Sequence, residues 1–254
     1  MPVLVIYSLT LITWNNIWII ISLLVIFLLP LSSYLLVKNV KLDSRENTDE
    51  KEFKDENIKQ WRRIEVLKDY RFYIISLNML AMPWIATGVF VFQSFIANSK
   101  GWGDYTIPQS FMSYSIFSVL TLIISGFLID KFTSRKLLIY MNVPLFLSTF
   151  VLIYFDSSYS AFVFLGLIGV SNGLANLLGS STWAEIYGVK YIGSIKALTT
   201  ALMVFATAFG TALFGFLIDI GFSIENIALV SSFSIGISIF LLFLIRRKLN
   251  PVFI

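Results

Sequence analysis

The sequence predicts an all-α polytopic membrane protein with about seven full transmembrane helices, and three observations carry that prediction. Of 254 residues, 57% are hydrophobic and only 13% are charged, about half the ~25% of a water-soluble domain. The apolar residues fall in continuous blocks of about 18–26 residues, long enough to cross ~30 Å of hydrocarbon as helices and unlike the short alternating segments of a membrane barrel. Lysine and arginine collect in alternate loops: eighteen of the nineteen fall on one side, leaving only Lys100 opposite. The positive-inside rule places those eighteen, and the C-terminus with them, in the cytoplasm. The chain is therefore expected in the cell (inner) membrane, with the lipid bilayer as its main partner.

The blocks follow in order. Pro2–Thr13 spans twelve residues, about 18 Å of helix, so it reads as the tail of a helix whose beginning is missing; a re-entrant piece is the alternative. Trp14, Asn15 and Asn16 separate it from the first full span, Asn16–Val37. The other spans are Phe72–Ala97, Gln109–Ile129, Leu137–Tyr154, Ala161–Trp183, Ile195–Ile218 and Ile227–Ile245. Between Lys38 and Tyr70 lies the long polar stretch, with Lys41–Asn57 expected as a flexible linker. From Ile58 the residues Trp61, Ile64, Glu65, Leu67 and Lys68 recur at helical spacing. With Arg62 and Arg63 they predict either an amphipathic helix on the membrane surface or a solvated linker. The organisation expected is 1–38 for the first helices, 39–70 for the linker and 71–254 for a six-helix bundle.

Cysteine and histidine are absent. That excludes disulfides, Cys/His zinc sites, thiolate nucleophiles and imidazole acid–base chemistry, so no catalytic residue, metal or cofactor is expected. The net charge of +4 and pI of about 9.2 reflect membrane orientation, and nucleic acid is not an expected partner. The first cation is Lys38, so no basic leader of a signal peptide is visible.

Gly126-Phe-Leu-Ile-Asp130 recurs verbatim as Gly215-Phe-Leu-Ile-Asp219. Grouping the last six spans into two triplets puts each copy at the end of a middle helix, and the charge count puts Asp130 and Asp219 on opposite faces. That is the pattern of a 3+3 inverted repeat, common in secondary transporters. The flanks differ in the same sense: Lys131, Arg135 and Lys136 follow the first copy, while no charge follows the second directly.

Gly126-x-x-x-Asp130-Lys131-x-x-x-Arg135-Lys136 resembles the loop motif of the major facilitator superfamily, which joins helices 2 and 3 and, more weakly, helices 8 and 9. Trp183-Ala-Glu185-Ile-Tyr-Gly188 with Gly193 resembles the end of helix 10, and Lys68-Asp-Tyr-Arg71-Phe72 the entry to helix 7. The resemblance covers nearly the whole chain, as helices 6 to 12 plus the end of 5, and is nearest to monocarboxylate-porter-like members. Two positions depart from it. Thr133 stands where the motif has its second glycine, followed by Ser134 in place of a base, and Leu122 stands where monocarboxylate-type members carry an arginine. The resemblance implies a secondary carrier of a small solute working by alternating access, with the N-terminal half missing or on a separate chain.

By that resemblance, Gly126, Asp130, Lys131, Arg135 and Glu185 form a gating loop. Asp130 faces a helix N-terminus of the opposite half, and Arg135 pairs with Glu185. Plain interface charges at helix ends are the alternative. No Asp, Glu, Lys or Arg lies at mid-membrane, where a charge is costly and functional, so either such groups lie in the missing half or a solute is held by amides, hydroxyls and rings. The candidates are Asn172 and Asn176, four apart on one face; Met203 and Thr207; Ser115 and Ser118; and Trp84, Thr87 and Gln93 around Pro83, which frees a backbone carbonyl. Interhelical bonding for the asparagines, bonds to their own helix for the hydroxyls and a packing kink for Pro83 remain open. Gly169-x-x-x-Gly173, Ala206-x-x-x-Gly210 and Thr211-x-x-x-Gly215 are expected to be packing seams. Two other classes compete: a non-transporting membrane subunit or receptor-like protein, and a membrane enzyme, for which no constellation is visible.

Overall fold

The structure, a computed structural model, describes Ser8, residues 12–37, residues 59–250 and Val252. Most of the Pro2–Thr13 block and the whole Lys41–Asn57 linker lie outside these residues. Every regular element described is helical, and seven helical segments are long and apolar enough to cross a membrane.

The chain divides into two units, 1–56 and 57–254. In the first, helix α1 (Trp14–Val37) is a 24-residue apolar helix that contains Pro30. Trp14 and Trp18 meet edge to face at 5.6 Å, and Ser22 returns its hydroxyl to the Trp18 carbonyl at 2.7 Å. That leaves no polar side-chain group of Ser22 to face an apolar medium unpaired.

The second unit begins with a short helix, α2 (Arg63–Lys68), followed by α3 (Tyr70–Val91), α4 (Gln93–Ser99), α5 (Thr106–Phe132), α6 (Ser134–Leu137), α7 (Val143–Tyr154), α8 (Ser158–Tyr187), α9 (Ile192–Asp219) and α10 (Ile224–Ile245). The two triplets pack reciprocally. The middle helix of each, α5 or α9, lies against the first helix of the other, α8 or α3; the third helices α7 and α10 do likewise and also pack on one another. Small residues permit the close crossings. A Cβ on Gly173 would lie 2.5 Å from the Ser118 carbonyl oxygen, and one on Gly169 or Gly210 would overlap the Tyr114 or Trp84 carbonyl. Van der Waals contact of this closeness is what joins helices where lipid is as apolar as leucine.

The two ends of the bundle carry different charge clusters. At one end Lys100, 5% exposed, reaches Asp156 at 2.7 Å and Glu225 at 2.8 Å, and Trp102 donates its indole N–H to the Asp156 carbonyl. Burial alone would lower the Lys100 ammonium, but the two carboxylates outweigh it and hold the group above its ordinary value. At the other end are Asp69, Arg71, Arg135, Glu185 and the segment after α10. The helices run between these ends in alternation, so Asp130, five residues before Arg135, and Asp219, six residues before Glu225, end at opposite ends of the bundle.

Two expected elements differ. The amphipathic helix is confined to six residues, because Lys59 and Trp61 give their backbone N–H groups to the Val252 and Tyr187 carbonyls instead. Its buried residue is Val66, while Ile64 and Leu67 face outward. The Leu137–Tyr154 span is interrupted: a 3₁₀ turn over Leu138–Tyr140 and a turn at Met141–Asn142 precede α7. Pro144 sits in the first turn of α7, where its missing N–H costs nothing. The interruption is covered at Leu138, Met141 and Asn142, which are buried: Ser171 donates to the Met141 carbonyl at 2.7 Å, and the Asn142 side chain fastens the turn to α3 by donating Nδ2 to the Asn78 carbonyl at 2.6 Å. Irregular backbone at membrane depth survives only under such cover.

Candidate functional site

A cavity of about 510 Å³ opens between α3, α8 and α9, with Tyr114 of α5 and Met141 of the interrupted segment completing its lining. It draws walls from both apolar core clusters, Met82 and Ala86 from one and Met141 and Trp183 from the other. The polar groups are arranged in stripes because helical residues four apart share a face. On α8, Asn172, Asn176 and Ser180 line it; on α9, Lys196, Thr199, Thr200, Met203 and Thr207; on α3, Ser76 and Thr87 around Pro83.

Most of the lining hydroxyls bond their own helix, while the Ser76 hydroxyl is buried without a partner. Thr87 donates to the Pro83 carbonyl at 2.7 Å and Thr207 to the Val204 carbonyl at 2.7 Å, leaving oxygen lone pairs as acceptors. Asn172 Nδ2 donates to Ser118 Oγ at 2.9 Å, tying α8 to α5. Asn176 is exposed in the open cavity and makes no hydrogen bond with a described residue. Met79, whose carbonyl Pro83 releases from the helical ladder, also lines the wall.

The structure thus brings Asn172, Asn176, Met203, Thr207 and Thr87 to one cavity. It places the other expected residues elsewhere. Trp84 packs on the Phe209 and Phe214 rings at 6.1 and 6.3 Å, in the α3–α9 seam. Gln93 starts α4 beyond the cavity. Ser115 bonds its own helix at the Phe111 carbonyl, and Ser118 enters only through Asn172. Three features were not anticipated. Lys196, the one charged lining residue among those described, looks in sequence like a topology charge. Ser180 continues the Asn172–Asn176 stripe by four more residues. The interruption at Met141 had a signal in Asn142-Val143-Pro144.

The second cluster surrounds the turn between α5 and α6. Thr133 adopts φ +69° and ψ 146°, a region that is essentially glycine-only and costs a side chain about 1–3 kcal/mol. Glu185 of α8 holds it there. Its Oε2 accepts the Ser134 N–H at 2.9 Å, the Arg135 N–H at 3.3 Å and the Ser134 hydroxyl. Arg135 Nε stands 2.8 Å from Oε1 as an ion contact rather than an aligned hydrogen bond, and its Nη1 donates to Asn250 Oδ1 at 3.1 Å. The Thr133 hydroxyl is buried without a partner. Thr133→Gly should therefore stabilise the protein by about 1 kcal/mol, the relieved strain exceeding the entropy glycine adds to the unfolded chain; thermal unfolding in detergent measures it. Asp130 and Lys131 are exposed, neither forms an ion pair with a described residue, and a Cβ at Gly126 would meet nothing within 4 Å.

Among the described residues, no group of three Asp or Glu side chains could hold a metal ion. The cavity offers amides, hydroxyls, one cation and apolar walls, which can bind and orient a small molecule through hydrogen bonds. The profile of the Major Facilitator Superfamily matches residues 1–194 of this chain. A comparison with curated proteins found no match.

Proposed function

We propose, from the premise that this chain belongs to the Major Facilitator Superfamily of membrane transporters, that it moves a small polar solute by alternating access through the cavity between α3, α8 and α9. The single observation that carries this reading is that cavity itself. In a bundle built almost wholly of apolar helices, polar side chains from three separate helices converge on one space of about 510 Å³. A polar side chain left unpaired in a membrane interior is expensive, and Asn176, which makes no hydrogen bond with a described residue, is such a group on this cavity. The solute is held by Asn176 and by the free acceptor of Asn172, with Thr87, Thr200 and Thr207 around it and Lys196 at the basic end.

The reciprocal packing of the two triplets supports rocking as a unit about this site, as inverted repeats do. The loop around Glu185, Arg135 and Thr133 supplies a strained element held by a few breakable contacts, which suits a two-state switch. In this reading Asp130 and Gly126 face a second set of helices, the N-terminal half that the motif resemblance implies, and that half completes the cavity wall. The basic end is cytoplasmic.

The test is uptake against a panel of small solutes into proteoliposomes that hold this chain together with the N-terminal half that completes the wall. Asn176→Leu should lower uptake of the active solute about tenfold, the worth of one lost hydrogen bond at a binding site, with the unfolding midpoint unchanged because Asn176 bonds no described residue. If no solute on the panel is accumulated, the reading of a membrane subunit or receptor-like protein takes its place.

A further inference from the structure

At the basic end of the bundle two cations converge on one ring. The Arg62 guanidinium stands 5.9 Å and the Lys190 ammonium 5.8 Å from the Tyr191 ring centroid, so the charges lie within about 12 Å of each other. Both side chains are exposed and neither makes an ion pair with a described residue; the Glu65 carboxylate, which accepts the Arg62 backbone N–H at 2.7 Å, feels the Arg62 charge and is itself paired with Lys59 at 3.2 Å. The convergence on Tyr191 is built in rather than incidental. Lys190 donates its backbone N–H to Gln60 Oε1 at 3.0 Å, and Trp61 donates its own to the Tyr187 carbonyl, so the linker end is fastened beside the turn that carries Tyr191. Gly188, at φ +82°, makes room for it, since a Cβ there would strike the Gln60 amide.

Next to this pair α2 presents a second feature. Ile64 is 69% exposed, and Leu67, one turn on, is exposed on the same face, with Arg63 and Lys68 flanking them. Beyond α2, Lys248 stands 5.9 Å from the exposed Tyr70 ring. Apolar side chains bracketed by cations and tyrosines match the boundary between acyl chains and headgroups, and an excess of exposed cations there attracts anionic lipid.

We propose that Arg62, Lys190 and Tyr191 form a binding site for the phosphate of an anionic phospholipid, with Ile64 and Leu67 against its acyl chains. The phosphate takes charge-assisted hydrogen bonds from both cations and removes the repulsion between them. The site is independent of the solute cavity and of any transport activity.

The experiment is thermal unfolding of the full chain in detergent, titrated with phosphatidylglycerol or with phosphatidylcholine of the same acyl chains. Phosphatidylglycerol should stabilise at concentrations at least fivefold lower than phosphatidylcholine. The Arg62→Gln/Lys190→Gln variant should lose that difference, and Arg62→Lys/Lys190→Arg, which keeps both charges, should retain it. Equal response to the two lipids, or an undiminished difference in the glutamine variant, overturns the proposal. So does stabilisation by inorganic phosphate at the same concentrations, which would make the site one for a soluble anion. Both positions are exposed, and the charge-keeping variant separates a lost site from a disturbed fold.

Discussion

Replacing Arg71 with leucine should cost about 3–5 kcal/mol of stability, the loss expected when one partner of a buried ion pair is removed and the other is left charged. Arg71 and Asp69 are 9% and 6% exposed at their side chains and meet at 2.8 Å. Asp69 also caps α3, accepting the Arg71 backbone N–H at 3.0 Å, and takes the Tyr187 hydroxyl at 3.2 Å. Arg71 further donates through Nη1 to the carbonyls of Lys248 and Asn250 at 3.0 and 3.1 Å. One guanidinium therefore fastens the start of α3 to the end of the chain beyond α10. Lysine cannot take its place, because the forked donor geometry serves a carboxylate and two carbonyls together. Adding Asp69→Asn to the leucine variant should recover a substantial part of the loss, since asparagine keeps the cap acceptor and removes the stranded charge. Urea or thermal unfolding of the four proteins of the cycle reads the coupling, expected at about 1–3 kcal/mol. Additive losses would mean the pair is not a unit.

The same residues show where sequence reasoning reaches and where it stops. The spans were legible because a membrane imposes a length and an apolar composition that few other contexts share. The reciprocal triplets were legible through one repeated pentapeptide, Gly126–Asp130 and Gly215–Asp219. The seams at Gly169, Gly173 and Gly210 were legible because small residues four apart have one common use in lipid. The partnership of Asp69 with Tyr187 was not, because 118 residues separate them and nothing local to either names the other. Trp84 shows a subtler limit. It follows Pro83 directly, yet adjacent helical residues point about 100° apart, so Pro83 lines the cavity while the indole lies in the α3–α9 seam. Thr133 shows the opposite case: its residue type argues against a positive φ, and only the clamp that Glu185 puts on Ser134, fifty-one residues before it, overrules it.

Gly210→Ala should be nearly as damaging as the loss of Arg71, although it adds a single methyl group. A Cβ there would overlap the Trp84 carbonyl oxygen and come within 2.7 Å of its carbon. Those are backbone atoms of a buried helix, and no rotamer change can move them aside. α9 would have to withdraw from α3 as a body, breaking the ring contacts of Trp84 with Phe209 and Phe214 and the fit of Phe214 against Gly88. Overpacking of a tight interior costs about 1–3 kcal/mol, and the upper end applies where the obstacle is rigid. The displacement also carries Lys196, Thr199, Met203 and Thr207 outward, because all four ride on α9, so uptake should fall together with stability. Gly126→Ala is the matched control, being the same substitution in an α5 position that meets nothing within 4 Å. In the unfolding assay it should be neutral or slightly stabilising, by up to about 1 kcal/mol, because alanine is the better helix former. Equal losses in the two variants would show that helix propensity, and not the close approach of α9 to α3, decides the outcome. A Gly126→Ala protein that is stable yet slow in uptake would show that the free face of Gly126 serves transport rather than folding.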